Sequence, residues 1–258
     1  MCATRRLVIV AIGGATCSGK TTLAKALSKV IPGSKCLFQD DFAPPADKVP
    51  IHPVHGVQDW DDPDGAIEWD RQRSTLAYLR QHHEFPSRHY SHDHLNAQIP
   101  VAINSQLLSQ WQTKFQQLVE PKDDNQLPID FIIADGFLML VDQESVKQFD
   151  VKLFVREDYN TLKQRRDERA GYHTAVQSDM SEGALWKDPP NYWDNIVWPA
   201  YLKAHRPLFV NGDVEHGSFD SNVIADVELL EAKDMSMDEL LDKVAKRVFE
   251  FASGSTQA

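Results

Sequence analysis

Residues 14–21 read Gly-Ala-Thr-Cys-Ser-Gly-Lys-Thr, a full match to the G-x-x-x-x-G-K-[ST] phosphate loop. No other segment restricts the fold as much. Such a loop works only when a buried strand runs into it and a helix starts on it, so that backbone N–H groups and a helix N-terminus converge on one phosphate chain. Both flanks agree. Leu7 to Ile12 is a continuous apolar, β-branched run, suited to a strand buried on both faces of a parallel sheet. Beyond the loop, Leu23, Leu27 and Val30 recur at helical spacing until Pro32-Gly33 ends the helix. The nucleotide-binding residues are then Gly14, Ala15, Thr16, Cys17, Ser18, Gly19, Lys20, Thr21 and Thr22. Lys20 is placed to bridge the β- and γ-phosphates, the Thr21 hydroxyl to join a Mg²⁺ shell, and Cys17 to act as a spacer.

Further strand candidates follow at Lys35–Gln39, Phe131–Ala134 and Val151–Val155, each with polar residues at its C-terminal end. This alternation predicts an α/β P-loop NTPase fold, an open, mostly parallel sheet with helices on both faces. The chain reads as a single P-loop domain over 1–258, with a surface insertion at about 81–128 and a lid at about 160–190. The insertion carries five histidines, His82, His83, His89, His92 and His94, and a Gln-rich amphipathic stretch. The histidines read as solvated loop residues, with a metal site as the alternative. Asp62-Pro63 reads as an N-cap followed by proline at the first helical position.

A formal charge of −11 argues against nucleic acid as a partner, since a polyanion needs a basic face. No apolar run reaches the ~20 residues that span a bilayer. Three scattered cysteines have no metal-ligand spacing, and with no signal-peptide core the expected location is cytoplasmic or nuclear. The guanine-reading tetrapeptide Asn-Lys-x-Asp is absent, which points away from GTPases and toward small-molecule kinases.

A kinase needs a carboxylate near the acceptor hydroxyl and cations over the transferring phosphoryl. Ligands of open α/β sheets sit outside the carboxyl ends of the strands, where Asp40, Asp41 and Asp135 fall. Asp40 is the candidate base or hydroxyl-orienting group, and Asp135 holds the Mg²⁺ place. Either could instead be a turn residue. Only one of the adjacent Asp40 and Asp41 is expected to point into the site. Arg165, Arg166 and Arg169 are three and four apart, as a phosphate-clamping face would be, or else form a solvated charged helix.

Together these segments resemble the nicotinamide riboside kinases of the uridine kinase-like group. The resemblance rests on residues 14–22, Gln39-Asp-Asp-Phe42, Gln58-Asp-Trp-Asp61, Ile133-Ala-Asp-Gly-Phe137, Arg166-x-x-Arg169 and Asn191-Tyr-Trp-Asp-Asn-Ile-Val-Trp-Pro-Ala-Tyr201. The long insertion resembles a fungal-type member rather than the compact animal form, and its Pro86 to His94 resembles the hairpin that reaches over the acceptor in uridine kinase relatives. The resemblance implies ATP and Mg²⁺ as cofactors and a pyridine riboside, phosphorylated at its 5′-hydroxyl in NAD salvage, as substrate. It implies that Lys20, Asp40 and Arg166 are catalytic, that Asp40, Asp41, Phe42, Trp60, Asp61, Arg166, Tyr172 and Asp188 meet the substrate, and that Arg165 and Arg169 meet the nucleotide. Thr21, Asp40 and Asp135 are the implied metal residues, although Asp135 stands where the family often has Glu. Trp60 and Tyr172 stand where family aromatics stack on the pyridine ring. Trp193 and Trp198 read as packing residues. A uridine/cytidine-type kinase and a non-catalytic P-loop regulator are the competing readings.

Overall fold

The strand that carries the phosphate loop, β1 (Arg6–Gly14), runs through the middle of the protein. Its side chains alternate between two cores: Leu7, Ile9 and Ala11 face one, Val8, Val10 and Ile12 the other. A strand with no polar side chain between Leu7 and Gly14 can sit only where both faces are covered. The computed structural model describes residues 5–96, 98–123, 126–169, 171–173 and 185–254.

Around β1 the strands β2 (Lys35–Phe38), β3 (Ile129–Asp135), β4 (Val151–Arg156) and a late strand, Val227–Glu231, make a five-stranded sheet. The order is β2-β3-β1-β4 and then the late strand, and every pairing is parallel. A small antiparallel pair, β5 (Tyr172–His173) with β6 (Leu185–Trp186), lies apart, so the late strand is β7. Neither β7 nor the β5–β6 pair is foreseen from sequence. The Val-Glu-Leu-Leu-Glu run of β7 has no clean period, and two-residue strands carry no pattern at all.

One face of the sheet is covered by α1 (Lys20–Val30), α3 (Ser105–Val119) and α7 (Met237–Ser253). On the other face lie α2 (Trp69–His82), the short α4 (Gln143–Val146), α5 (Tyr159–Asp167) and α6 (Trp198–His205). α7 begins on a full capping box, in which Ser236 and Glu239 satisfy each other's backbone N–H groups.

Two expectations need correction. The stretch read as a surface insertion is no appendage in its second half. Its helix α3 buries Trp111 and Phe115 in the core, and the Trp111 indole donates to Asp242 on α7 at 2.8 Å. Its amphipathic pattern was that of a layer helix. Asp62-Pro63 opens a single turn rather than a helix, with Gly65 and Ala66 N–H groups donating to the Asp62 carbonyl at 3.1 and 2.9 Å. Gly65 is pressed onto Pro50, where a Cβ would come within 2.3 Å, and α2 starts only at Trp69.

The Phe115 ring meets Phe131 and Phe249 edge-on, each at 5.7 Å between centroids. Phe115→Ala is expected to lower stability by about 3–5 kcal/mol, the range for a truncated buried phenylalanine. Urea denaturation would read this as a lower midpoint at unchanged slope, whereas an unchanged midpoint would make α3 the appendage its sequence position suggests.

Candidate active site

The phosphate loop is built by close backbone approach. Gly14 has φ 139°, and a Cβ there would lie 2.3 Å from the Val155 carbonyl of β4. Cys17 and Gly19 also take left-handed backbone, at φ 62° and 91°. Gly19 precedes α1 with no side chain to cap the helix, so the first amides of α1 remain free for an anion. Lys20 is buried and its Nζ donates to the Ala15 carbonyl at 3.2 Å. The Ser18 hydroxyl is buried without a partner.

Two carboxylates stand at the strand ends beside the loop. Asp40 lies exposed on a tight turn, Gln39–Phe42, that follows β2. Gln39 anchors that turn: its Oε1 accepts from Leu138 N–H at 2.8 Å and its Nε2 donates to Gln72 at 3.0 Å. Gly136 is needed here, because a Cβ would fall 2.3 Å from the Gln39 Cβ. Asp135 ends β3, buried, with one oxygen unpartnered. Burial pushes its pKa up to about 6, while Lys20 and a hydrogen bond from Thr21 pull the other way.

Thr21, Asp40 and Asp135 border one cleft of about 500 Å³, which also takes in the phosphate loop, Arg165, Arg169, Met235 and Met237. A buried carboxylate oxygen without a partner, next to a hydroxyl and a second carboxylate, suits a divalent cation. Among the described residues no three His, Cys, Asp or Glu side chains form a metal cage. Mg²⁺ in phosphate sites takes only one or two carboxylates beside water and phosphate oxygens, so the donors present are enough.

A second, narrower cavity adjoins the first and is lined by Trp60, Asp61, Arg166, Tyr172, His173 and Trp186 among others. Asp61 is buried with Oδ2 unpartnered, and burial pushes it up to about 6 against the pull of Arg166. Arg166 is buried too. Its guanidinium donates to both oxygens of Asp188, at 2.7 and 3.0 Å, and to the Thr16 hydroxyl at 3.1 Å. The Arg166 and Arg169 guanidinium carbons sit 4.3 and 4.0 Å from the centre of the Tyr172 ring. The Tyr172 hydroxyl lies 3.4 Å from Thr16 Oγ1 and from Cys17 Sγ, so the β5–β6 pair is docked on the phosphate loop.

The structure brings together most of the residues singled out from sequence, with four differences. Phe42 is wholly buried beside the Arg71 guanidinium and borders neither cavity. Asp41 borders the first cleft but is almost wholly buried, its Oδ1 accepting from His92 N–H at 3.0 Å and lying 2.8 Å from the ring Nδ1. Asp188 borders neither cavity, because Arg166 and the Trp186 indole occupy its oxygens; it positions Arg166. Arg169 follows the end of α5 at Asp167 rather than continuing its face. Arg165 reaches the Cys17 carbonyl at 3.2 Å. Residues 174–184 of the expected lid lie outside the described residues.

Trp186, Phe137 and His92 are among the cavity residues to which sequence assigned no site role. Trp186 faces Trp60 at 5.8 Å between ring centroids, and its place two residues before Asp188 was the available signal. Phe137 and His92 border both cavities. The Trp193 and Trp198 rings stack at 6.0 Å, packing a π turn, Trp193–Val197, onto the core as expected. That turn carries Tyr192, whose hydroxyl accepts from Trp60 N–H at 3.0 Å and donates to the Gln58 carbonyl at 2.9 Å.

The chain is 33% identical to a nicotinamide riboside kinase of Schizosaccharomyces pombe over 220 residues, covering 85% of this chain and 88% of that one. A nicotinamide riboside kinase of Saccharomyces cerevisiae matches at 29% over 212 residues, 82% of each chain. Nicotinamide riboside kinase 2 of Mus musculus matches at 25% over 206 residues, 80% of this chain and 83% of that one. No family model matches the chain.

The raised pKa of Asp61 makes a signed prediction. A carboxyl that holds its proton more tightly when folded than unfolded stabilises fully below the unfolded value of 3.8, and that contribution is lost as pH rises through about 6. Asp61→Asn is therefore expected to stabilise the ligand-free protein at pH 7.5, by on the order of 2 kcal/mol, with no gain near pH 4. Thermal melts at the two pH values decide it; an equal gain at both would remove the burial penalty as the cause.

Proposed function

This chain belongs to the nicotinamide riboside kinase family, and from that premise we propose that it transfers the γ-phosphoryl group of ATP to the 5′-hydroxyl of a pyridine riboside. The protein is a kinase. Its reaction is the phosphorylation of nicotinamide riboside to the mononucleotide, a step of NAD salvage; nicotinic acid riboside is a further candidate acceptor. One observation supports the assignment of sites above all others: a narrow cavity holding Trp60, Trp186 and Asp61 opens beside Asp40 onto the phosphate-loop cleft.

The chemistry of each group fits its place. In the narrow cavity the indole faces suit a cationic pyridinium ring, through the quadrupole that attracts cations to aromatic faces. Asp61, with an oxygen unpartnered, accepts from ribose hydroxyls, and their arrival offsets the burial of its charge. Asp40 orients the 5′-hydroxyl and takes its proton. Lys20 and the free amides at the start of α1 hold the donor phosphates. Arg166, fixed by Asp188, stands where charge develops on the transferring group, and Arg165 and Arg169 line the donor side. Thr21, Asp40 and Asp135 are the residues that would hold a magnesium ion, which neutralises phosphate charge. Cysteine usage favours the cytoplasm or nucleus as the place of reaction. No described helix is long and apolar enough to cross a membrane.

The test is a coupled assay of ADP release with Mg-ATP against nicotinamide riboside, nicotinic acid riboside, uridine, cytidine and adenosine. Turnover is expected with the pyridine ribosides. Asp40→Asn is expected to lower kcat about 10²–10⁴-fold, the span of a lost general base, with a far smaller change in KM. Turnover of uridine or cytidine with neither pyridine riboside would assign the protein a different acceptor.

A further inference from the structure

Five residues border both cavities: Thr16, Asp40, His92, Phe137 and Tyr172. They form the neck at which acceptor and donor must meet. Four have a place in the proposed reaction or in its walls by virtue of the phosphate loop, the β2 end, the β3 end or the lid. His92 comes from elsewhere, the loop between α2 and α3, and nothing so far accounts for it.

Its placement is over-determined. The Asp41 carboxylate accepts from His92 N–H at 3.0 Å and lies 2.8 Å from its ring Nδ1. Both side chains are almost wholly buried, at 1% and 3% exposure. One residue on, Asp93 forms an ion pair with Lys25 of α1 at 2.6 Å. Four residues on, the Asn96 amide donates to the His173 carbonyl at 3.1 Å and accepts from His173 N–H at 2.8 Å. Residues 92–96 are thus tied to the β2 end, to the phosphate-loop helix and to the lid at once. Behind them His89 stacks on Phe85 at 4.5 Å. Holding a polar ring this firmly at a neck is more than loop packing requires.

The chemistry of the ring follows. A carboxylate oxygen 2.8 Å from Nδ1 favours the tautomer with its proton on that nitrogen, and in the neutral ring this leaves Nε2 with its lone pair. Nε2 has no hydrogen-bond partner among the described residues. We propose that His92 touches the acceptor at the neck, its Nε2 accepting a hydrogen bond from a ribose hydroxyl, and that Asp41 is the positioning residue that fixes the tautomer and orientation of the ring. Asp41 thereby acts on the substrate through His92 and not directly. The inference rests on the acceptor being a riboside, as proposed above, but not on which base the riboside carries.

Two substitutions separate this role from a tether. In His92→Asn the amide stands at the place of Nδ1 and can still bond Asp41, but nothing reaches the neck. In His92→Gln the amide stands at the place of Nε2. Steady-state kinetics with Mg-ATP and nicotinamide riboside are expected to show kcat/KM for His92→Asn lowered about tenfold or more, and His92→Gln recovering most of that loss. ATP binding, followed by calorimetry, is expected to match the parent for both, while His92→Gln, which leaves Asp41 without its ring partner, is expected to melt below His92→Asn. Equal activity of Asn, Gln and parent proteins would overturn the proposal, and so would an equal loss in both variants, which would make the ring a packing group. Should the parent protein phosphorylate uridine or cytidine instead, the pyridine assignment fails while the same comparison on that nucleoside still decides the role of His92.

Discussion

Everything at the active site depends on β1 being hydrogen-bonded on both sides. Its parallel register places Ile12 opposite Asp135 of β3 and Gly14 opposite Val155 of β4. The phosphate loop therefore leaves the sheet between two strands whose ends are already fixed. The close approach of Gly14 to the Val155 carbonyl leaves no room for a side chain, and it turns the chain so that α1 begins beneath the loop amides. An apolar strand thus sets, through backbone pairing alone, the distance between the phosphate site and the carboxylate that faces it.

That scaffold supports a site that works against the stability of the empty protein. Ser18, Trp60, Asp61 and Asp135 each carry a buried polar atom without a partner, and all four lie in or beside the two cavities. Natural proteins seldom leave such atoms unpaired, because each costs about 1–3 kcal/mol. Asp61 and Asp135 are both pushed up to about 6 by burial. The two cores, in which β1, β3 and β4 are almost wholly buried, offset this strain. On the proposed reading, substrate hydroxyls, phosphate and a cation supply the partners these atoms lack, so that binding relieves a penalty already built into the fold.

The legible and illegible parts of the chain divide along a physical line. The phosphate loop, its strand and helix, and the strand-end positions of Asp40 and Asp135 could be read because a local pattern fixes where they lie. Phe42, Asp41 and Asp188 could be found but not placed. Whether a residue on a tight turn faces the cavity or the core depends on the turn, and here Gln39, bonded to Leu138 and Gln72 far along the chain, decides it. Trp186 was hidden, and His92 could be named only as one of five loop histidines, for a different reason. Their positions come from long-range docking of the lid on the phosphate loop and of residues 92–96 on three separate elements, and no periodicity encodes that. The same holds for α3, whose helical pattern was plain while its partners α1 and α7 were not.

On the proposed reading, the two-cavity layout also bears on why a riboside rather than water receives the phosphoryl group. Waters that enter the narrow cavity can bond the Trp60 indole N–H and the Asp61 oxygen, but they are not joined to a nucleophile held at Asp40. An acceptor that bonds the same groups brings its hydroxyl to Asp40 with its translational freedom already lost, an advantage of several kcal/mol over water from solution. Arg166 links the two events, since it borders the narrow cavity and bonds Thr16 of the phosphate loop. Moving Arg166 to suit one ligand therefore moves its contact with the other. Discrimination against water then comes from one shared cation and one shared neck, without any part whose sole task is to exclude water.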